Sequence, residues 1–573
     1  MNRRQRRAVE RAERAGVGRA GKAAAISSAA VLASAGAGAA VVLTSEAAHA
    51  NAVIDVSSLA NSGPGTLRQA ILDANATPGQ DRIEFSVTGT ITLGSNLPNI
   101  TGGVEIVGPG PGSLTVDGGG TNRTFFVDTV TSGSVLIEGL SVTHSVRSGL
   151  TFYHSTVPIT MRDLVVTDNN SVSNGAGIEL YHDSTTILLD GVTITGNAAL
   201  NSGGGLYACT HEPGMTLTIV DSRIANNHAA DGGGGLLVSS ADAVTIRNTE
   251  ISDNTANYGG GVSIRFSDDV TIDGSTMSGN AGVNGGGILL THAPVSITAS
   301  TFSGNSATHL GGGIGAIGYV NVDVVASTIA NNPGVYYGGG LAGYDNVVVT
   351  LENSTVSSNS SRDGGAIALG TSTSLVMTQS TVTGNQATTG PSPVGGVVME
   401  GGAAPGSVGG LGSHGATVDQ GTTPWGIAKA PTDARVHGQT ATFGTASLTG
   451  TIVAGNGGAD LAALSSILPV AATHALIGTT TYGVVVTDLG GSRVGVTAEQ
   501  LALGPLADNG GPTLTHALLP GSVAIDAASA TVPLFPGNQW DQRGPGHARV
   551  ENGLADVGAF EVQVPEPEPN FTG

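Results

Sequence analysis

The sequence predicts an all-β fold, a parallel β-helix in which each stretch of about 26 residues winds one coil. Three observations carry this reading. Glycine clusters recur along the middle of the chain, their last members being Gly177, Gly205, Gly235, Gly261, Gly287, Gly313 and Gly340, with Ala366 in the eighth slot. Subtracting successive positions gives steps of 28, 30, 26, 26, 26, 27 and 26. An asparagine keeps pace seven or eight residues ahead of each cluster, at Asn169 (or Asn170), Asn197, Asn227, Asn254, Asn280, Asn305, Asn332 and Asn359. Between these markers, phrases such as "VTIRNTEISDN" and "VTIDGSTMSGN" alternate apolar and polar residues and are rich in Val, Ile and Thr. That alternation is the period of a strand, and several glycines per unit argue against helix.

The elements follow in order. Residues 1–50 read as an export signal: a basic segment (Arg3, Arg4, Arg6, Arg7, Arg11, Arg14, Arg19, Lys22), a small apolar stretch from Ala23 to Leu43, and the A-x-A site Ala48-His49-Ala50. Cleavage there leaves no transmembrane span. Residues 51–130 hold an N-terminal cap and the first coils. In "LRQAILDANA" Leu67, Ala70, Ile71 and Ala74 share one helical face, suited to covering the open edge of the first coil. Residues 131–387 are the repeats. Within them Asn197, Asn227, Asn254, Asn280, Asn305, Asn332 and Asn359 are expected to stack as a ladder of side-chain amides. Residues 388–445, Gly- and Pro-rich, read as a loop or excursion, and 446–500 as the last coils. Residues 501–562 form a C-terminal module and 563–573 a disordered tail.

Composition narrows the function. The 573-residue chain contains 90 glycines, and its net charge of −21 would fall further on loss of the basic N-terminus. A nucleic-acid partner is excluded, because a phosphate backbone demands the opposite sign. The single Cys209 excludes an internal disulfide and a cysteine-based zinc site, and reads as a small packed thiol rather than a nucleophile.

In a β-helix, equivalent residues of successive coils form columns. Seven residues after the reference glycine come Glu212, Asp242 and Asp268, with Asp269 adjacent, although the coil holding Glu212 is the longest of the series. A carboxylate row of this spacing could serve as the acid and base of a glycosidase, so Glu212, Asp242 and Asp268 are catalytic candidates. Hard oxygen ligands at Asp242, Asp268 and Asp269 would also suit calcium. Near the same edge lie Tyr153, His154, Tyr181, His182, His211, Arg265 and His292, a set that could wall a ligand site. Solvated turn residues account for the row at least as well.

Two resemblances refine the picture. Phe302-Ser303-Gly304-Asn305 and Gly286-Gly287-Ile288-Leu289 resemble the F-x-x-N and G-G-x-I phrases of polymorphic outer-membrane-protein repeats. "NGGPTLTHALLPGSVAIDAA", "DQRG", Arg549 and "ADVGAFE" resemble the choice-of-anchor Q module. The first resemblance implies a single-stranded right-handed parallel β-helix, a pectate-lyase-like solenoid, and the second a C-terminal capping module that closes it. Asp526, Asp541, Arg543, Arg549 and Glu561 then serve to fix that module rather than to catalyse. Together these readings predict a secreted, extracellular or cell-surface protein that adheres to, or binds, a polysaccharide or surface ligand, with calcium as a candidate cofactor. The alternative is a polysaccharide lyase or glycoside hydrolase acting on the acidic face. Short turns of near-constant length favour the binder.

Overall fold

The computed structural model describes residues 52–563 except 78, 371, 389–393, 400–444, 464–467, 482 and 530–538. The expected signal segment, most of the Gly/Pro-rich stretch and nearly all of the tail lie outside the described residues.

The chain is a right-handed parallel β-helix. Three long parallel sheets run its length. The first has 16 strands, from Val53–Val56 to Val484–Gly490; the second has 15, from Gly89–Thr92 to Arg493–Val494; the third has 13, from Phe125–Asp128 to Thr480–Thr481. One coil shows the pattern: Val262–Arg265 in the third sheet, Asp269–Asp273 in the first, Thr276–Ser278 in the second, then Ala281–Asn284 in a short side strand. Val262 pairs with Ile288, its counterpart in the next coil. Alternation does the rest: Val262, Ile264, Val270, Ile272 and Met277 point inward and are buried. Each packs on its counterparts in the coils above and below, giving one continuous apolar core.

The asparagines form a hydrogen-bonded ladder at the corner after the second sheet. Asn254 donates from both its backbone N–H and its Nδ2 to Oδ1 of Asn280, each at 3.0 Å, and Asn280 does the same to Asn305 at 3.1 and 2.9 Å. The pattern runs from Asn169 through Asn197, Asn227, Asn254, Asn280, Asn305, Asn332, Asn359 and Asn385 to Asn456, and ends on the carboxylate of Asp460. It therefore extends beyond the predicted members at both ends.

The glycine clusters do two jobs. Gly259 sits at φ +68°, a left-handed conformation that closes the turn. Gly261 has no such φ; a Cβ there would lie 2.6 Å from the carbonyl oxygen of Gly287 in the next coil. Close approach between coils, as well as turn geometry, selects glycine here.

The helix Leu67–Ala76, capped by Thr66, buries Leu67, Ala70, Ile71 and Ala74 against the first strands of the first sheet. Within the expected loop of 388–445, Val394–Met399 forms a further rung of the third sheet, with Gly395 and Gly396 as its glycine pair. The phrase "GGVVM" is thus a repeat, hidden by the proline and glycine around it.

The C-terminal module carries an antiparallel hairpin, Leu503–Ala507 with Thr515–Leu518. It lies along the outer side of the second sheet over the last coils. Gln542, fully buried, accepts from Thr355 Oγ1 at 2.6 Å and donates from Nε2 to Thr328 Oγ1 and Thr513 Oγ1, both at 3.0 Å. Ala559 N–H donates to Thr381 Oγ1 at 3.0 Å, and Ser357 Oγ meets His516 Nε2 at 2.8 Å. The outward threonines and serines of these coils are buried for this reason, whereas Thr193 and Thr195 at the equivalent positions of an earlier coil are partly exposed. Within the module Arg543 pairs with Asp541 at 2.6 Å. Buried Arg549 donates to the Gly558 carbonyl at 2.8 Å and to Asn353, and Glu561 accepts the Asp556 N–H at 2.7 Å. Arg549 thus ties the module to the solenoid, while Asp541, Arg543 and Glu561 brace it internally.

Candidate functional site

The third sheet presents two outward residues per strand. Two residues after the reference glycine come Glu179, Tyr207, Leu237, Ser263 and Leu289; four residues after come Tyr181, Cys209, Ser239, Arg265 and Thr291. The first column is largely covered, but the second remains partly exposed coil after coil.

Toward the N-terminal end of this face the side chains become aromatic. Phe126, Tyr153 and Tyr181 stack at centroid distances of 6.2 and 5.2 Å. The residue following each strand takes a left-handed φ, +53° at His154 and +57° at His182, which throws its ring outward at the corner. His154, His182 and His211 stack at 5.0 and 4.6 Å, and the tyrosines meet them edge-on, Tyr153 with His154 at 4.3 Å and Tyr181 with His182 at 4.2 Å. Tyr153 with Tyr181, and His154 with His182, are in register between neighbouring coils; Phe126, which pairs with Thr151, and His211, one residue beyond Thr210, extend the two stacks out of register. Burial and the neighbouring imidazoles push His182 below its usual value, favouring the neutral ring.

Beside the columns lies Glu179, which the sequence reading passed over. It is half-buried between Thr151 and Tyr207, with Ser148 Oγ 3.4 Å from Oε2. Burial raises its carboxyl to about 7, against smaller opposing effects of Ser148 and Arg147. Burial likewise raises the Tyr207 hydroxyl and the Cys209 thiol, so both stay protonated at neutral pH. Arg123 lies 3.9 Å above the Phe126 ring and donates to Asn99 at 2.8 Å. Glu179 was legible: period two puts it on the same face as Tyr181 in "GIELYHD", where only Tyr181 and His182 were selected.

His292 falls in a second stack, with Phe266 at 5.2 Å and Tyr319 at 6.2 Å, separated from the first by Thr210 and Ser240 at the same corner. Arg265 lies above the Tyr258 ring at 5.9 Å.

The acidic row is placed differently from the sequence expectation. Thr216 pairs with Ala243 and Ala243 with Asp269, so Asp242 and Asp268 occupy equivalent positions, but their counterpart in the preceding coil is Met215. The extra length of that coil displaces Glu212 into the turn. All three carboxylates and Asp269 are exposed, and Asp242 accepts the Gly214 N–H at 3.0 Å, the work of a turn residue. Among the described residues no group of three or more His, Cys, Asp or Glu is arranged to hold a metal ion, so the calcium expectation at Asp242, Asp268 and Asp269 finds only the two stacked aspartates and their neighbour.

Comparison with known protein families agrees with the architecture. Residues 211–403 match the family model described as a right handed beta helix region. No curated protein matches the chain. Among solved structures it is similar to the A-modules of two mannuronan C-5 epimerases of Azotobacter vinelandii. For AlgE4 the identity is 14%, over 57% of this chain and 94% of that one, with a TM-score of 0.34. For AlgE6 it is 13%, over 56% and 93%, with a TM-score of 0.32. No helix among the described residues is long and apolar enough to cross a membrane.

Proposed function

We propose that this chain is an exported, extracellular or cell-surface protein that binds a polysaccharide along the outward face of its third sheet. One observation carries the reading: two ring columns, Phe126–Tyr153–Tyr181 and His154–His182–His211, run along the axis beside half-buried Glu179. A sugar ring offers apolar C–H faces to aromatic faces and hydroxyls to polar neighbours, and a polymer offers them at regular intervals. The pair Tyr153-His154 recurs one coil later as Tyr181-His182, and a ring wall with such a repeat suits a repeating ligand. The basic, then apolar, N-terminal segment supports export.

A glycan array probed with the purified protein, with and without calcium, tests this. Binding to at least one polysaccharide is expected, weakened about tenfold or more by the pair Tyr153→Ala and Tyr181→Ala. Absence of binding across the array, or full retention by the double variant, overturns the proposal.

One observation favours a second reading, a carbohydrate-active enzyme. A carboxyl held at about 7 is poised to give up or take a proton at neutral pH. Incubating each array hit with the protein distinguishes the two readings. Turnover lost in Glu179→Gln but kept in Asp242→Asn and Asp268→Asn supports the enzyme; binding without new chain ends supports the binder.

A further inference from the structure

The same face carries a second cluster of rings toward its C-terminal end. Tyr337 and Tyr344 line a small, partly open apolar depression together with Gly343, Gly370 and the buried Leu310, Ala368 and Val398. Around it, Arg362 lies 4.9 Å above the Tyr336 ring and 5.6 Å above the Tyr337 ring, and His309 meets Tyr337 edge-on at 5.7 Å. Arg362 is also held by Asp363 at 2.9 Å, which fixes the guanidinium over the rings. Tyr336 is 40% exposed and Val335 52%.

This cluster is continuous with the first. Tyr344 stands in the same outward column as Tyr181, and every residue between them in that column, Cys209, Ser239, Arg265, Thr291 and Ile317, is partly exposed. The corner beside this track carries Phe266, His292 and Tyr319 in a stack part-way along. The strands of Tyr181 and Tyr344 are six ladder steps apart, about 29 Å at ~4.8 Å per step.

We propose that the Tyr337–Tyr344 depression is a second saccharide-binding site, and that one polysaccharide chain lies along the axis and occupies both sites at once. This rests on the reading of the face as a polysaccharide binder, and it names the ligand class more closely: long, unbranched chains that span both anchors. A short oligosaccharide reaches one anchor only. Joining two anchors through one ligand makes the second contact intramolecular and multiplies affinity without any new contact.

The test uses the full-length protein with trisaccharides and dodecasaccharides of cellulose, xylan, chitin and polygalacturonate, measured by calorimetry and by hydroxyl-radical footprinting. For a polymer type that binds, the dodecasaccharide is expected to bind at least about tenfold more tightly than the trisaccharide. It should protect Tyr337 and Tyr344 together with Tyr153 and Tyr181. Tyr344→Ala should remove the length dependence and the protection at Tyr337, while the trisaccharide still protects Tyr153 and Tyr181; footprinting of the unaltered protein gives the same answer without a variant. Equal affinities per binding site, or protection confined to Tyr153 and Tyr181, overturn the second site while leaving the first reading intact. Absence of binding by any oligosaccharide and by the array overturns both.

Discussion

At the scale of single residues, burial decides more than charge count. Asp183 follows His182 at the corner of the aromatic face; it is fully buried, and its Oδ1 accepts the Ser155 N–H at 2.7 Å. Its Oδ2 and the Ser155 hydroxyl have no hydrogen-bond partner among the described residues. Burial raises its carboxyl to about 7 from an ordinary value of 3.8. A carboxyl raised in the folded state favours folding while protonated, so its contribution is whole below about pH 4 and is lost as pH rises through about 7. Asp183→Asn should therefore leave thermal stability at pH 4 near that of the parent and raise it at pH 8, by at most a few kcal/mol. Melting curves at both pH values check the sign. Glu179 gives a companion prediction: its side-chain carbon resonance should titrate near pH 7 rather than near 4. Neither carboxyl was singled out from the sequence. Alternation assigns Glu179 a face, but the neighbours that desolvate it, Thr151 and Tyr207, belong to the coils before and after and meet it only through coil register. The exposed row of Glu212, Asp242 and Asp268 illustrates the converse, since equal offsets from a glycine mean equal places only where the intervening turns have equal length.

At the scale of the element, the ladder and the glycine pairs hold each coil to the next. Asn280 receives two hydrogen bonds from Asn254 and returns two to Asn305, and its Nδ2 also donates to the Ile251 carbonyl at 2.9 Å. Asn280→Ala strands two buried donors of Asn254, and should cost about 2–4 kcal/mol in urea unfolding. Gly261→Ala should also destabilise, because its Cβ would press on the Gly287 carbonyl, and neither backbone can retreat without opening the rung. The strands, the amphipathic N-terminal helix and the ladder were all legible in the chain, since each is written in a local period. The rung at Val394–Met399 was not, because the surrounding proline and glycine mask the pattern, although Gly396 follows Ala366 by 30 residues, the same step as from Gly205 to Gly235.

At the scale of the whole molecule, the C-terminal module ties coils that are distant in sequence. Gln542 joins Thr328, Thr355 and Thr513 through one side chain, across separations of up to 214 residues. Gln542→Ala should leave buried hydroxyls unpaired and loosen the module from the second sheet. Hydrogen exchange is expected to quicken between residues 503 and 562 and in the strands of Thr328 and Thr355 before any change near residue 200. The sequence leads one to expect a C-terminal module; the placement of residues 503–562 along a side depends on small outward residues, Thr328, Ser357 and Thr381, whose burial no single coil announces. A last consequence follows from the asparagine ladder. Most of its bonds join asparagines one regular coil apart, yet Asn385 bonds to Asn456 across a separation of 71 with the same geometry, 3.0 and 2.8 Å. Registration is thus checked once per revolution at a single corner, and the length of peptide spooled out elsewhere in that revolution goes unmeasured. The solenoid is in effect a rack that accepts inserts: a foreign segment of comparable length spliced after another third-sheet strand should leave the revolutions above and below in step.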